Sequence, residues 1–419
     1  MERAELSRLL GGTSGPVAAQ PARRVLISEA EPRKFMAAFT QAISGEAEIF
    51  LCDPKWGAVE RSQVDALLRS PMPGSLVSTT GKGWLMIPTG GTSGKVRFAR
   101  HDAGTIATAV RGFAQYFELS QVNAAGVLPL HHVSGFMAWM RCTLTGGTYR
   151  PLDWKAIEEG TLPILPVKVH GWVISLVPTQ LERLLRNEAA VEWLKKFRMI
   201  FVGGGPTWSE LLDKAQALKL PLSLGYGMTE SAAMMAGLRP ADFLKGMRSC
   251  GTMMPHVTAQ ISSEGVISIN GDSLFRGYYP QWRTPGEFVT EDGGYQDRNG
   301  HIYITGRRDT VIISGGEKVD PAAVEEVLRG SGELPQVVVL GVPDAEWGQV
   351  VIAAYPEAPA PKLKKVAEVM NRLLSPAKRP KLFVPLPRWP VNDQGKVNRA
   401  EVAHLAEHAL RAGLGEHRE

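Results

Sequence analysis

Through its middle third the chain alternates short apolar runs with stretches of helical period. The run 171–177 (GWVISLV) is β-rich and bounded by turn residues, so it predicts a buried strand. Thr179 stands where it can cap a following helix, whose Leu181, Leu184, Leu185 and Leu194 fall near one face. Met199–Val202 predicts another strand and runs into Gly203, Gly204, Gly205 and Pro206. A helix bearing Leu211, Leu212, Ala215 and Leu218 comes next, and the apolar run 220–224 then leads into Gly225, Tyr226 and Gly227. Strand, glycine-rich turn and helix in repetition predict α/β layers with ligand loops beyond the strand ends.

After about residue 250 the pattern changes. Stretches 258–261 and 265–269 alternate apolar and polar positions, as antiparallel strands do. Residues 292–316 are dense in Gly and Asp, with the β-rich pieces HIYIT and TVIIS between them. Asp320-Pro321 opens a helix with an N-cap and a proline at its first position. A strand pair (336–342, 350–355), a helix (366–374) and a terminal helix (401–412) complete a small α+β module. The expected fold class is therefore α/β and β: a large N-terminal domain, 1–308, of mixed α/β layers with a β-rich part, then a small α+β domain, 309–419.

A length of 419 residues fits two or three domains. The three cysteines, Cys52, Cys142 and Cys250, are scattered and form no CxxC pair, which argues against a disulfide framework or a zinc site and for a reducing compartment. No run approaches the roughly 18 apolar residues of a membrane span, and residues 1–12 carry no apolar signal core. A soluble cytoplasmic protein without integral membrane contact is expected. The net charge of +5 is uneven: residues 362–399 hold ten basic against two acidic side chains, a local +8. That block suits a phosphate-rich small molecule, while its few aromatics and many prolines disfavour nucleic acid.

The chemistry concentrates in loops. Thr89, Gly90, Gly91, Thr92, Ser93 and Gly94, followed by Lys95, Val96 and Arg97, combine glycines, hydroxyls and bases as a polyphosphate-wrapping loop does. It is not a Walker A loop. Thr89 stands where the first glycine belongs, and Val96, which follows Lys95, has no oxygen for magnesium. Further along, Tyr226-Gly227-Met228-Thr229-Glu230-Ser231 puts an aromatic face, hydroxyls and a carboxylate at a strand end. The stretch 290–295 (TEDGGY) offers a carboxylate suited to ribose hydroxyls, 306–309 (GRRD) adds bases, and 392–399 (NDQGKVNR) sets a lysine on a tight turn.

Taken in order, these five motifs resemble the adenylate-forming superfamily, which includes acyl-CoA synthetases, the adenylation domains of peptide synthetases and firefly luciferase. The resemblance runs from about Ile87 to Arg399 and implies ATP and CoA as cosubstrates with Mg²⁺ as cofactor. By position, 89–94 would bind the terminal phosphates. Arg97 stands where lysine is usual. His132 matches the gate beside the substrate carboxylate. Gly203, Gly204, Gly205, Tyr226 and Gly227 would frame adenine, Thr229 would touch the α-phosphate, and Glu230 would hold Mg²⁺. Asp292 matches the ribose aspartate, although Glu291 replaces the usual glycine before it. Arg307 matches the ribose and phosphate arginine, Asp309 the hinge, Gly315 and Gly316 the pantetheine tunnel, and Lys396 the catalytic lysine.

The implied reaction activates a carboxylic acid as its acyl-adenylate and passes the acyl group to CoA. Its acid pocket should lie between His132, the loop 177–180 with Thr179 and Gln180, the glycines from Gly203 and Tyr226. The strings LPLHHVSGF, VPTQL and GYGMTES most resemble the 2-succinylbenzoate–CoA ligase group of menaquinone and phylloquinone synthesis. That substrate keeps a second carboxylate, for which Arg141, His132 and Thr179 are candidates. Another aromatic or medium-chain acyl-CoA synthetase, or an enzyme loading a carrier protein, would keep the same ATP residues. A non-catalytic AMP sensor would be expected to lose Lys396 or Glu230, and both are present.

Overall fold

The computed structural model describes residues 1–12, 24–69, 83–89, 96–166, 171–205, 207–314, 317–344, 347–391, 397–411 and 416–417. A first sheet joins parallel strands Arg24–Ile27, Glu48–Leu51 and Leu85–Thr89 and is closed by antiparallel Arg97–His101. A second, seven-stranded sheet is parallel through Tyr149–Pro151, Ala124–Gly126, Val173–Leu176, Met199–Val202 and Leu222–Met228. Ala233–Gly237 and Thr252–Met253 then turn antiparallel at its edge.

Two helices, Ala103–Tyr116 and Val133–Leu144, lie between these sheets. The first is buried almost all round, from Ala103 through Phe113, because it has a sheet on each side and no face left for solvent. Its Ile106 and Val110 pack with Leu85 and Ile87 of the first sheet, and its Phe113 with Val173, Met199 and Phe201 of the second. Each such side chain contributes about 1.5–3 kcal/mol by leaving water. Helix Ala103–Tyr116 starts after antiparallel Arg97–His101, at the Leu85 end of the first sheet, while Val133–Leu144 starts beyond the C-terminal end of Ala124–Gly126.

The strands expected after residue 250 form an antiparallel meander: Val257–Ile261, Val266–Gly271, Phe288–Gln296 and Ile302–Arg307. A single 3₁₀ turn, Arg308–Thr310, separates it from a last sheet in which Gly348–Pro356 pairs antiparallel with Val338–Asp344 and parallel with Leu382–Leu386. Helices Pro321–Arg329, Leu363–Leu373 and Arg399–Arg411 flank that sheet. This is the α/β and β architecture expected, with a small α+β unit after residue 310.

Three local expectations are corrected. The helix after residue 177 is Pro178–Leu184, capped not by Thr179 but by Gln180, whose side-chain oxygen accepts the Val177 N–H at 3.1 Å. Proline at the first helical position moves the start one residue earlier, placing Thr179 inside the helix. Leu194 belongs to a separate helix, Glu188–Leu194, capped by Asn187. Tyr226 and Asp292 sit within strands rather than in loops beyond them. Gly227 is possible in that strand because a side chain there would strike the Ala233 carbonyl at 2.0 Å.

Candidate active site

The nucleotide side is built on two turns brought together from distant sequence. Thr89 ends its strand opposite Arg97 in register, and Thr229–Ser231 form one 3₁₀ turn after Leu222–Met228. His101 joins them: its Nε2–H donates to the Thr229 carbonyl at 2.8 Å while Nδ1 faces Thr105 Oγ1 at 3.0 Å. Burial pushes this imidazole down to about 4, so near neutrality it is an uncharged donor. Asp102 beside it caps the helix Ala103–Tyr116 and pairs with Arg276 Nε at 2.8 Å. Ala232 and Ala233 follow with φ of 55° and 79°, a left-handed pair of the kind that persists where surrounding structure over-determines it.

Glu230 is buried and accepts the Tyr278 hydroxyl at 2.6 Å, and the Arg97 guanidinium lies 4.6 Å over the Tyr278 ring. A parallel arrangement holds the second carboxylate: Tyr226 Oη donates to Asp292 Oδ2 at 2.7 Å, and Arg307 Nη1 stands 3.9 Å from Asp292 Oδ1. Burial first, and the facing carboxylate second, push both phenols up, which keeps them as donors. Sequence reasoning found both carboxylates and both arginines. It missed Tyr278, His101 and Arg276, whose partners lie 48, 128 and 174 positions away; an aromatic pair ahead of Pro280 was the one local signal for Tyr278.

On the acid side, His132 caps the helix Val133–Leu144 through its backbone and its ring lies 4.4 Å from that of His131. A side chain at Gly204 would fall 3.7 Å from Val177 Cγ1, so the start of the Thr179 helix and the glycine turn lie side by side. Gly203 also belongs to that rim, its N–H reaching the Leu176 carbonyl at 3.3 Å. Gln180 is 2% exposed and its oxygen is committed to the Val177 cap, which leaves only its amide nitrogens for any ligand.

Arg141 is not at the rim. It lies nine residues along the helix from His132, about 13 Å deeper at 1.5 Å per residue. It is 6% exposed, its guanidinium stacks 3.8 Å over Phe113, and its Nε has no hydrogen-bond partner among the described residues. No carboxylate pairs with it among the described residues. Burial lowers its pKa to about 10, which leaves it charged at neutral pH. His256 is close enough that burial and then Arg141 push it down to about 4, and both its ring nitrogens are also without hydrogen-bond partners among the described residues. Gly112 admits this imidazole, since a side chain there would fall 1.9 Å from His256 Nδ1.

Gly90, Gly91, Thr92, Ser93 and Gly94 of the phosphate loop, Gly315 and Gly316 of the tunnel, Lys396 and the Asp309 side chain lie outside the described residues. What flanks Lys396 is described. Val391 and Val397 form an antiparallel bridge, and Arg399 Nη1 reaches the buried Glu325 Oε1 at 2.6 Å. Glu325 also accepts the Val339 N–H at 2.9 Å and Arg329 Nη2 at 3.1 Å, so this buried carboxylate is fully used in anchoring the turn's C-terminal side.

Residues 78–279 match the family model described as AMP-binding enzyme. A 2-succinylbenzoate–CoA ligase of Oceanobacillus iheyensis is 30% identical over 65% of this chain and 59% of its own length. One from Lactococcus lactis is 30% identical over 76% of this chain and 70% of its own. The chain thus spans about 59% of the first of these relatives. An indoleacetate–CoA ligase of Aromatoleum aromaticum is 28% identical over 92% of this chain and 81% of its own length. Among solved structures, o-succinylbenzoate CoA synthetase (MenE) from Bacillus subtilis, in complex with the acyl-adenylate OSB-AMP, has a TM-score of 0.75 at 21% identity, covering 96% of this chain and 91% of that one. That likeness shows the fold.

Proposed function

This chain belongs to the AMP-binding enzyme family, and we propose that within it the protein is an AMP-forming acid–thiol ligase. It converts an acid bearing a second carboxylate, of the 2-succinylbenzoate class, to its CoA thioester for quinone synthesis. The observation that carries the acid class is Arg141: a buried cation with no acid partner among the described residues, on the helix that begins at His132. An unpaired buried charge is costly, and an incoming anion relieves that cost. The coverage of the indoleacetate–CoA ligase supports a second reading, an arylacetate monoacid, in which Arg141 has no anionic partner in the substrate.

In the first half-reaction a carboxylate oxygen attacks the α-phosphorus of ATP. The O–P bond forms as the α–β bridge breaks and pyrophosphate leaves. Both reactants are anions, so positive charge and fixed donors must meet the developing charge. Thr229 stands for the α-phosphate, Arg97 with the 89–94 loop for the outgoing phosphates, and Asp292, held by Tyr226 and Arg307, for the ribose hydroxyls. Lys396 bridges carboxylate and α-phosphate, and His132 gates the acid. The residues also fit Mg²⁺: Glu230 is a hard oxygen donor, and Thr89 Oγ1 is buried with no hydrogen-bond partner among the described residues. Bound there by Glu230 and Thr89, Mg²⁺ would offset phosphate charge.

In the second half-reaction the CoA sulfur attacks the acyl carbon, the C–S bond forms and AMP leaves with the C–O electron pair. Its nucleophile approaches from another side, so we assign 309–419 as a mobile domain turning at Asp309 and bringing Gly315 and Gly316 to the pantetheine. The test is an ATP/CoA assay read by mass with 2-succinylbenzoate, indole-3-acetate, benzoate and a medium-chain fatty acid. Succinylbenzoyl-CoA and AMP are the expected products. Thioester from a monoacid alone would overturn the acid class, AMP without thioester would point to a carrier-protein acceptor, and no AMP with any acid would overturn the ligase.

A further inference from the structure

We propose that Asp53, His131 and His132 form a binding site for a divalent transition-metal ion of the Zn²⁺ class, separate from the Mg²⁺ position at Glu230. One ligand atom from each of the three lies within 4.8 Å of the other two. Asp53 follows the strand Glu48–Leu51 of the first sheet, and the two histidines follow Ala124–Gly126 of the second, so the cluster bridges both sheets beside the acid gate. The Lys55 N–H holds Asp53 Oδ1 at 2.8 Å, which turns Oδ2 toward His131.

The distances accommodate a cation shared among these side chains. His131 is 3% exposed, and its Nε2 stands 3.6 Å from Asp53 Oδ2, beyond hydrogen-bond length and with no hydrogen-bond partner among the described residues. Tetrahedral zinc with bonds of about 2.0–2.1 Å sets its ligand atoms about 3.3 Å apart, so this pair needs only a small closure. The two imidazole centroids stand 4.4 Å apart with 48° between planes, so the rings lie side by side at the cluster. Two imidazoles and one carboxylate suit zinc and its neighbours, whereas magnesium prefers all-oxygen shells. Three protein ligands leave a fourth position for water or for the substrate carboxylate that His132 gates. On the ligase reading above, and resting on it for this consequence, an occupied site pins His132 and slows acid activation.

Two measurements test the site itself. Zn²⁺ competition against a chromogenic chelator is run on the full chain and on Asp53→Asn and His131→Asn, with circular dichroism confirming that each folds. The wild type should hold one tight equivalent that both variants lose or weaken at least tenfold. Co²⁺ substitution should give tetrahedral d–d absorption in the wild type alone, and excess Mg²⁺ should not displace the ion. Equal zinc stoichiometry and affinity in wild type and Asp53→Asn would overturn the proposal. Because binding is read without any acid, a chain that holds zinc here yet activates no acid keeps this site and loses the ligase reading. A chain that activates acid but holds no zinc here does the reverse.

Discussion

The two halves of the candidate site are satisfied to different degrees. On the nucleotide side both described carboxylates and the turn carbonyl have partners built into the fold: Glu230 with Tyr278, Asp292 with Tyr226 and Arg307, and the Thr229 carbonyl with His101. On the acid side Arg141 and His256 sit in the interior with nitrogens that no described residue meets. Fixed, fully bonded groups suit a ligand of constant shape such as a nucleotide, for which donors should need no rearrangement. A buried cation left open suits discrimination, because a substrate lacking the matching anion leaves it uncompensated. On the proposed function, the nucleotide side is organised for the reaction and the acid side for choosing what enters it.

The contrast can be broken in graded ways. The largest effect belongs to the charge brought in from the small domain. Lys396→Ala should cut adenylation roughly 10²–10³-fold while thioester formation from preformed acyl-adenylate survives, measured by separate half-reaction assays. Equal loss of both steps would remove the two-conformation account. Next is the pinning of the nucleotide side. His101 is held near 4 in the folded chain against 6.5 when unfolded, so the unfolded chain binds more protons between those values. Its stabilising effect is present above pH 6.5 and is lost as pH falls through about 4. About 3 kcal/mol is involved, and urea unfolding of the wild type should show it between pH 7 and 4 while His101→Gln shows a shallower slope.

Smaller still is the acid-side clamp. Arg141→Met should raise KM for the diacid about 10–100-fold, in line with hydrogen bonds to charged groups, and leave a monoacid nearly unchanged. Its folding stability should hold or improve, since a buried unpaired charge is removed. The smallest effect is Tyr226→Phe. Loss of one hydrogen bond to Asp292 should raise KM for ATP about five- to tenfold with kcat little altered, read from steady-state kinetics. A change in kcat alone would show that Tyr226 acts on the transition state and not on the ribose carboxylate.

What the sequence made legible follows from how local each feature is. Strands 199–202 and 257–261, the hairpin after 336 and the three C-terminal helices are carried by periodicity and capping within a few residues, and they formed nearly where expected. Glu230 and Asp292 stood out because a carboxylate beside glycines and hydroxyls is unusual within a short window. Tyr278, His101 and Asp53 did not, because their roles exist only through partners 48, 128 and 78 positions away. The cap at 178 was misplaced for a local reason: Gln180 reaches back and does what Thr179 was expected to do. Arg141 was legible as a cation with the right chemistry, but its depth, and the absence of an acid beside it, became visible only in the packed helix.

The most direct test of the division between a satisfied nucleotide side and an open acid side is a substrate–residue cycle at Arg141. kcat/KM would be measured for 2-succinylbenzoate and for its monomethyl ester on the aromatic carboxylate, the one not activated, with wild type and Arg141→Met. The account predicts that the ester is about 10–100-fold poorer with the wild type and that this penalty vanishes in the variant, a coupling of roughly 1.5–3 kcal/mol. The same penalty in both proteins would place the second carboxylate elsewhere and contradict the account.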